Sequence, residues 1–128
     1  MAHKSTLIGG VSESIAEALF LKNGFSVFKP IVPEAYDLIV STQDEFKKAT
    51  THTVQVKTMS QRHDREGQLV VYGANSNKIP YKKDVVDYIL GIHLPTSTGY
   101  LIENNEQLEY WSQNFDIARA KWTELKLN

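Results

Sequence analysis

The feature that most constrains the fold is the segment of residues 51–59, in which apolar and polar side chains alternate. Val54 and Val56 fall on one face of an extended chain, while Gln55 and Lys57 fall on the opposite face. A strand with one apolar face has to pair with other strands and bury that face. The segment therefore predicts a β-sheet with a packed layer on its valine side.

The segments around this strand predict a mixed α/β or α+β domain. A helix is expected over residues 8–23, because apolar side chains recur there at helical spacing and Asn23-Gly24 is a stop signal. The apolar residues of this helix are Ile8, Val11, Ile15, Leu19 and Phe20. Polar residues 43–50 are typical of a hairpin connection. Further strands are expected at residues 25–29, 36–41, 68–72, 88–93 and 99–103, followed by a helix at 114–125.

Composition excludes several classes of protein. The chain of 128 residues fits a single domain over residues 1–128, and it has no cysteine for a disulfide, a thiolate zinc site or a thiol nucleophile. It has neither an apolar run of membrane-spanning length nor a signal peptide pattern, so we expect a cytoplasmic protein with no membrane partner. With 14 basic and 15 acidic residues, only a localised basic face is compatible with polyanion binding.

Three polar side chains point to chemistry on two neighbouring strands. Asp37 opens the apolar strand Leu38-Ile39-Val40, and a carboxylate there is costly unless it is paired or holds a metal. If this strand pairs with 51–59, Asp37 converges with Gln55 and Lys57. Two oxygen donors for a hard divalent cation beside an ammonium group suit phosphodiester hydrolysis. The alternative is a turn residue at a strand entrance beside a solvated strand face.

A fourth candidate lies on the first helix. Glu13 and Glu17 are four residues apart and share one face, so either could bring a carboxylate to the strand pair, directly or through a water. The alternative is that both are solvated residues on the polar side of an amphipathic helix. Spacing alone decides neither between these two interpretations nor between Glu13 and Glu17.

Taken in order, these motifs resemble the PD-(D/E)XK nuclease superfamily, and in particular its branch of group I intron-associated homing endonucleases. The resemblance covers roughly residues 8–103. It rests on Gly10-x-x-Glu13, Gly24-Phe25-x-Val27-x-x-Pro30, Tyr36-Asp37-Leu38, Val54-Gln55-Val56-Lys57-Thr58, Tyr81 with Asp87-Tyr88-Ile89, and Gly99-Tyr100-Leu101-Ile102. Two departures are that Glu34-Ala35-Tyr36 stands where a proline beside the aspartate is expected, and that Gln55 replaces an acid.

The resemblance implies a restriction-endonuclease-like core, in which helices flank a mixed central sheet, and a role for each site residue. Asp37 would be the main metal ligand, joined by the Gln55 amide, the Val56 carbonyl and the Glu13 carboxylate. Lys57 would be the catalytic lysine, and the metal would be Mg²⁺, with Mn²⁺ as a substitute. Gln55 binds a divalent ion more weakly than an acid would, because an amide carries no net charge.

DNA binding would then need a local basic rim. The candidates are Lys47, Lys48, Arg62, Arg65, Lys78, Lys82 and Lys83, with Gln68, Asn75, Ser76 and Asn77 as candidate readers of base edges. The alternative is an ordinary surface of mixed charge.

Because each chain carries one active site, cutting both strands favours a symmetric dimer or tetramer. Tyr110, Trp111, Ala118 and Trp122 are candidates for that interface or, alternatively, for the core.

The sequence thus predicts a site-specific, homing-type endonuclease that depends on a divalent metal and acts on double-stranded DNA. Two alternatives stay open. One is a junction resolvase or repair nuclease with the same core. The other, suggested by Gln55, is a noncatalytic DNA-binding module with a decayed nuclease core.

Overall fold

The computed structural model describes residues 3–43 and 49–128. Within these ranges the chain forms two α-helices, nine β-strands and two short 3₁₀ turns. The helices are α1 (Lys4–Lys22) and α2 (Phe115–Lys121). The strands are β1 (Ser26–Phe28), β2 (Leu38–Gln43), β3 (Ala49–Thr58), β4 (Ser60–Arg62), β5 (Gln68–Tyr72), β6 (Tyr88–His93), β7 (Thr98–Glu103), β8 (Glu109–Ser112) and β9 (Thr123–Leu125). Neither of these helices is long and apolar enough to cross a membrane.

The strands form two sheets. The larger has the order β1-β2-β3-β6-β7-β9, in which β3 and β6 are parallel and the other neighbours are antiparallel. The smaller sheet has the order β4-β5-β8 and is antiparallel throughout. A mixed sheet with two helices confirms the predicted α/β fold class. The expected hairpin connection at 43–50 falls largely outside the described residues.

The first core lies between α1 and one face of the larger sheet. Val54 and Val56 of β3 are buried there together with Leu38 of β2, as the alternating pattern predicts. Ser12 and Thr58 join the two layers through hydroxyl groups 2.6 Å apart. The strand that carries the candidate site is therefore fixed from its apolar side.

The second core lies on the other face of the larger sheet, under the smaller sheet and α2. It contains Ile89 of β6 and Tyr100 of β7, packed with Leu69 of β5 and Ala118 of α2. Gln55 is paired directly with Ile89, so its side chain belongs to this second face. Gln55 and Lys57 thus lie on the sheet face opposite to α1.

The final helix is shorter than the sequence predicts, so the expectation of helix over residues 114–125 is wrong after Lys121. The Asn114 side chain caps the helix by accepting a hydrogen bond from the Ile117 N–H at 2.9 Å. The chain turns extended at Trp122, and the residues after it pair with β7 as strand β9. Pairing with a sheet edge and packing of Trp122 against the second core override the local helical pattern.

Two further differences concern side chains. Val11 belongs to the apolar pattern that predicts the first helix, but it is 52% exposed, and Ala16, Leu19 and Phe20 form the buried face. Apolar residues surround this helix on more than one side, so spacing does not identify the face that is buried. The candidates for the subunit interface also differ in exposure, because Tyr110 is 4% exposed whereas Trp111 is 43% exposed.

Candidate active site

Asp37 stands one residue before β2, where the pairing of β2 with β3 begins. Its N–H donates to the Val54 carbonyl, and its carboxylate Oδ2 accepts a hydrogen bond from the Val56 N–H, both at 2.9 Å. The first antiparallel pair is Leu38 with Val54, so one further step in this register places Asp37 opposite Gln55. The carboxylate therefore lies directly against β3, between the positions of Gln55 and Lys57.

A cleft of about 480 Å³ opens beside this carboxylate. Asp37 and Gln55 both line it, and the opposite wall comes from the segment between β5 and β6, including Asn75, Tyr81 and Lys82. The structure thus brings the Asp37 carboxylate and the Gln55 amide to one concave surface, as the sequence predicts. The cleft is open to solvent.

Lys57 extends from β3 toward the same wall. Its Nζ donates a hydrogen bond to the Ala74 carbonyl at 3.2 Å and lies 5.3 Å from the centre of the Tyr81 ring. Its positive charge also acts to lower the pKa of the Asp37 carboxyl. The ammonium group is therefore held next to the cleft by two groups from the segment that closes it.

The electrostatics of Asp37 are set by competing effects. Partial burial raises the pKa of the Asp37 carboxyl, because the charged form loses solvation. The Val56 N–H and the charges of Lys57 and Lys29 act in the opposite direction and favour the ionised form. A carboxylate in this position gains from a cation bound next to it.

Glu13 approaches the site from α1. It lines a second cleft of about 340 Å³ together with Asp37, but its carboxylate faces Lys29 at 3.6 Å. Glu17 makes the closer ion pair with Lys29, at 2.9 Å. Among these two carboxylates, Glu13 is the one that shares a cleft with Asp37, which favours it as the helix carboxylate.

The residues around Asp37 offer oxygen donors to a metal. No group of three His, Cys, Asp or Glu side chains suited to a metal occurs within residues 3–43 and 49–128. The nearby donors are the Asp37 carboxylate, the Gln55 amide and the Val56 carbonyl, which in an extended strand lies on the same edge as its N–H. Mg²⁺ typically takes one or two carboxylates and completes its shell with water and substrate phosphate. The donor set fits such an ion.

The predicted DNA-binding residues fall into different environments. Lys82 lines the cleft with Asp37, and exposed Lys78 borders a neighbouring cleft. Lys83 follows them on the same exposed segment, and its N–H donates to Glu106. Three cationic residues thus lie on the segment between β5 and β6, and one of them, Lys82, lines the cleft with Asp37. Lys47 and Lys48 lie outside the described residues.

Arg62 and Arg65 both form ion pairs with acidic residues. Arg62 donates two hydrogen bonds to Asp64, at 2.9 and 2.6 Å. Arg65 donates to Glu109 at 3.0 Å and to Gln68 at 3.1 Å. Their charges are therefore largely balanced within the surface of the small sheet, and Gln68 is engaged as well.

Sequence reasoning assigned no role to Lys29, Ala74 or the Tyr81 ring, all of which contact site residues. Tyr81 was part of the motif pattern, and that is the signal that could have singled it out. The Ala74 contact is made by a backbone carbonyl, so the residue type at position 74 gives no indication of it. Lys29 lies after β1 and reaches α1 only through the tertiary fold.

A carboxylate and an amide oxygen line one cleft of a mixed α/β sheet, with an ammonium group beside it, and these are the groups that metal-assisted phosphodiester hydrolysis uses. The sequence model of the PD-(D/E)XK endonuclease family matches residues 3–120, and the chain belongs to this family. Members of this family act on DNA and generally use divalent metal ions. The chain is accordingly an endonuclease.

The fold is similar to that of a solved bacterial homing endonuclease, I-Ssp6803I. The two structures superpose with a TM-score of 0.65 at 19% sequence identity, over 89% of this chain and 78% of the other. This likeness confirms the expected restriction-endonuclease-like fold. No curated protein matches the sequence.

Proposed function

We propose that this endonuclease hydrolyses phosphodiester bonds of double-stranded DNA at specific sites, with Mg²⁺ or Mn²⁺, as a homing-type enzyme. The observation that carries the proposal is the 2.9 Å hydrogen bond from the Val56 N–H to the Asp37 carboxylate. It ties a strand-end carboxylate to the backbone between Gln55 and Lys57. The homing assignment draws support from the motif order and from the solved homing endonuclease of the same fold.

The metal would be held by Asp37, the Gln55 amide and the Val56 carbonyl, with Glu13 reaching it through a water. When bound, such an ion lowers the pKa of a bound water and offsets charge on the phosphate oxygens. Lys57 orients the attacking water or stabilises the negative charge that develops on those oxygens. The partial burial of Asp37 strengthens these interactions by excluding water around it.

The substrate would lie across the cleft between Asp37 and the wall of residues 74–85. Lys78, Lys82 and Lys83 supply positive charge at this wall, where a DNA backbone would pass. Arg62 and Arg65 add less, because both are paired with carboxylates. A symmetric dimer or tetramer would bring one such cleft to each strand of the duplex.

The decisive experiment is incubation with a complex duplex DNA library and Mg²⁺, followed by sequencing of the new ends. We expect a small set of discrete sites, and no cleavage by Asp37→Asn or Lys57→Ala under the same conditions. Lys22→Ala, at the exposed end of α1, is the matched control and should cut like the wild type. Full activity of either site variant would remove the proposed active site.

The same experiment separates the alternative functions. Ends spread uniformly over the library would contradict site specificity and indicate a degradative nuclease. Preferential cutting of branched DNA added in parallel would indicate a junction resolvase or repair nuclease. If no DNA is cut but duplex binding persists without metal binding, the chain is a noncatalytic DNA-binding module.

A further inference from the structure

We propose that Tyr81 is a positioning residue for Lys57, and that its ring and the Ala74 carbonyl together fix the lysine ammonium beside the cleft. The inference rests on the proposed function, because it concerns how the catalytic lysine of that site is oriented.

The geometry places the ammonium between two partners. Lys57 Nζ donates to the Ala74 carbonyl at 3.2 Å and lies 5.3 Å from the centre of the Tyr81 ring, within the range of a cation–π contact. Ala74 and Tyr81 stand on opposite sides of the loop of residues 74–80, where Ala74 pairs with Pro80. One ammonium group is thus held by both sides of this loop.

Tyr81 is itself held in place on both sides of its backbone. Its N–H donates to the Gly73 carbonyl at 3.1 Å, and its carbonyl accepts a hydrogen bond from the Asn104 side chain at 3.0 Å. Asn104 is 2% exposed, and it also donates to the Val86 carbonyl and accepts from the Tyr110 hydroxyl. The Tyr81 ring packs against the second core. The ring is therefore a rigid surface against which a mobile lysine can rest.

A lysine side chain needs such support. Four flexible carbons separate its ammonium from the backbone, and its point charge imposes no direction of its own. Misplacing a reacting group by about 1 Å can cost on the order of a hundredfold in rate. The contact uses the face of the ring, so phenylalanine should replace tyrosine here and an aliphatic side chain should not.

The test compares Tyr81→Phe and Tyr81→Leu with the wild type. We expect Tyr81→Phe to cleave within about threefold of the wild-type kcat, and Tyr81→Leu to lose roughly ten- to a hundredfold in kcat with little change in KM. Phe28→Leu, at an exposed aromatic residue of β1, is the matched control and should leave the rate unchanged.

A spectroscopic readout tests the contact independently of cleavage. In the metal-free protein, the NMR signals of the Lys57 methylene next to the ammonium should be shifted upfield by the Tyr81 ring. The shift should persist in Tyr81→Phe and disappear in Tyr81→Leu, and Lys57→Arg assigns the signal. Because the wild-type spectrum alone shows whether the contact exists, the test stands even if Tyr81→Leu folds poorly.

Two results would overturn the inference. One is a Lys57 methylene signal without an upfield shift in the wild type. The other is a Tyr81→Leu enzyme with wild-type kcat while Lys57→Ala is inactive, which would refute the positioning role and leave the proposed function intact. An active Lys57→Ala enzyme would instead refute the assignment of Lys57 in the proposed function.

Discussion

At the scale of single residues, the site combines one half-buried carboxylate with a neutral amide. Asp37 and Gln55 line the same cleft, and Lys57 is held at its wall. Because an amide oxygen carries no net charge, it contributes less to the binding of a divalent ion than a carboxylate does. The identity of residue 55 should therefore control the metal requirement more than the reaction itself.

The first prediction concerns this residue. Gln55→Glu should lower the Mg²⁺ concentration for half-maximal cleavage severalfold, because a second anionic oxygen joins Asp37 at the ion. Without metal the same variant should unfold at a lower temperature than the wild type, since two like charges then face each other. Cleavage against Mg²⁺ concentration, and melting curves in EDTA, measure both effects. Gln61→Glu, on an exposed part of β4, is the control, and an unchanged Mg²⁺ requirement in Gln55→Glu would contradict the ligand role.

A second residue-scale prediction concerns pH. Burial lowers the pKa of His93 below its ordinary 6.5; the residue is 7% exposed, and its ring faces Phe115 and hydrogen-bonds Thr96. Below about pH 6.5 the unfolded chain therefore binds more protons at this residue than the folded chain does. The stabilising contribution is complete above that pH and is lost as the pH falls through the folded-state pKa.

Urea unfolding between pH 5 and pH 8 measures this effect. We expect the free energy of unfolding to fall toward acid pH, and to fall less steeply in His93→Gln. His63→Gln, at an exposed position, is the matched control and should keep the wild-type slope. Equal slopes for wild type and His93→Gln would show that His93 takes no part in the pH dependence.

At the scale of secondary-structure elements, the sequence predicts the parts whose side-chain pattern is local. The alternation at residues 54–57 identifies both the buried face of β3 and the face that carries the candidate site, and β5 and β6 have the predicted bounds. The missed strands β4, β8 and β9 have 3 or 4 residues each and exist only through pairing with other strands. No local pattern of that length separates a strand from a loop or a helix end.

The candidate site likewise has residues that the sequence pattern predicts and contacts that only the tertiary fold creates. Asp37, Gln55 and Lys57 follow from motif order and strand periodicity, and the structure brings the first two to one cleft. The contacts of Lys57 with the loop, and of Glu13 with Lys29, depend on how distant segments pack. They involve a backbone carbonyl and a lysine after β1, which spacing along the chain does not relate to the site.

A prediction at this scale concerns the base of the loop of residues 74–80. A Cβ at Gly73 would lie 2.4 Å from the Gln107 carbonyl oxygen and 2.5 Å from the Tyr110 ring. Gly73→Ala should therefore destabilise the protein by about 1–3 kcal/mol. Gly9→Ala is the matched control: a Cβ meets open space on α1, so alanine should stabilise the helix by about 1 kcal/mol. Urea unfolding measures both, and an equally stable Gly73→Ala protein would contradict the close packing of this loop base.

At the scale of the whole molecule, DNA binding depends on where charge lies and not on its total. The net charge is −1, so the chain as a whole does not attract a polyanion. Lys78, Lys82 and Lys83 lie on the segment that forms one wall of the site and its neighbouring cleft, whereas Arg62 and Arg65 are neutralised by acids. DNA affinity should therefore fall steeply as the salt concentration rises, and it should depend on these three lysines.

The corresponding prediction compares two multiple variants. Replacing Lys78, Lys82 and Lys83 by alanine should reduce the slope of log affinity against log salt by roughly two to three units. The Arg62→Ala/Arg65→Ala variant should change it by about one unit or less, because these charges are already paired. Fluorescence anisotropy with duplex DNA in EDTA measures the slopes, and the reverse ranking would contradict the proposed binding face.

Mn²⁺ titration of the Lys57→Ala protein tests most directly whether Asp37, Gln55 and Val56 together hold a divalent ion beside residue 57. Paramagnetic broadening in NMR spectra should begin at the amides of Gln55 and Val56, saturate at one ion per cleft, and be lost in Lys57→Ala/Asp37→Asn. Broadening centred on Glu17, or undiminished by Asp37→Asn, would show that these residues do not hold the ion.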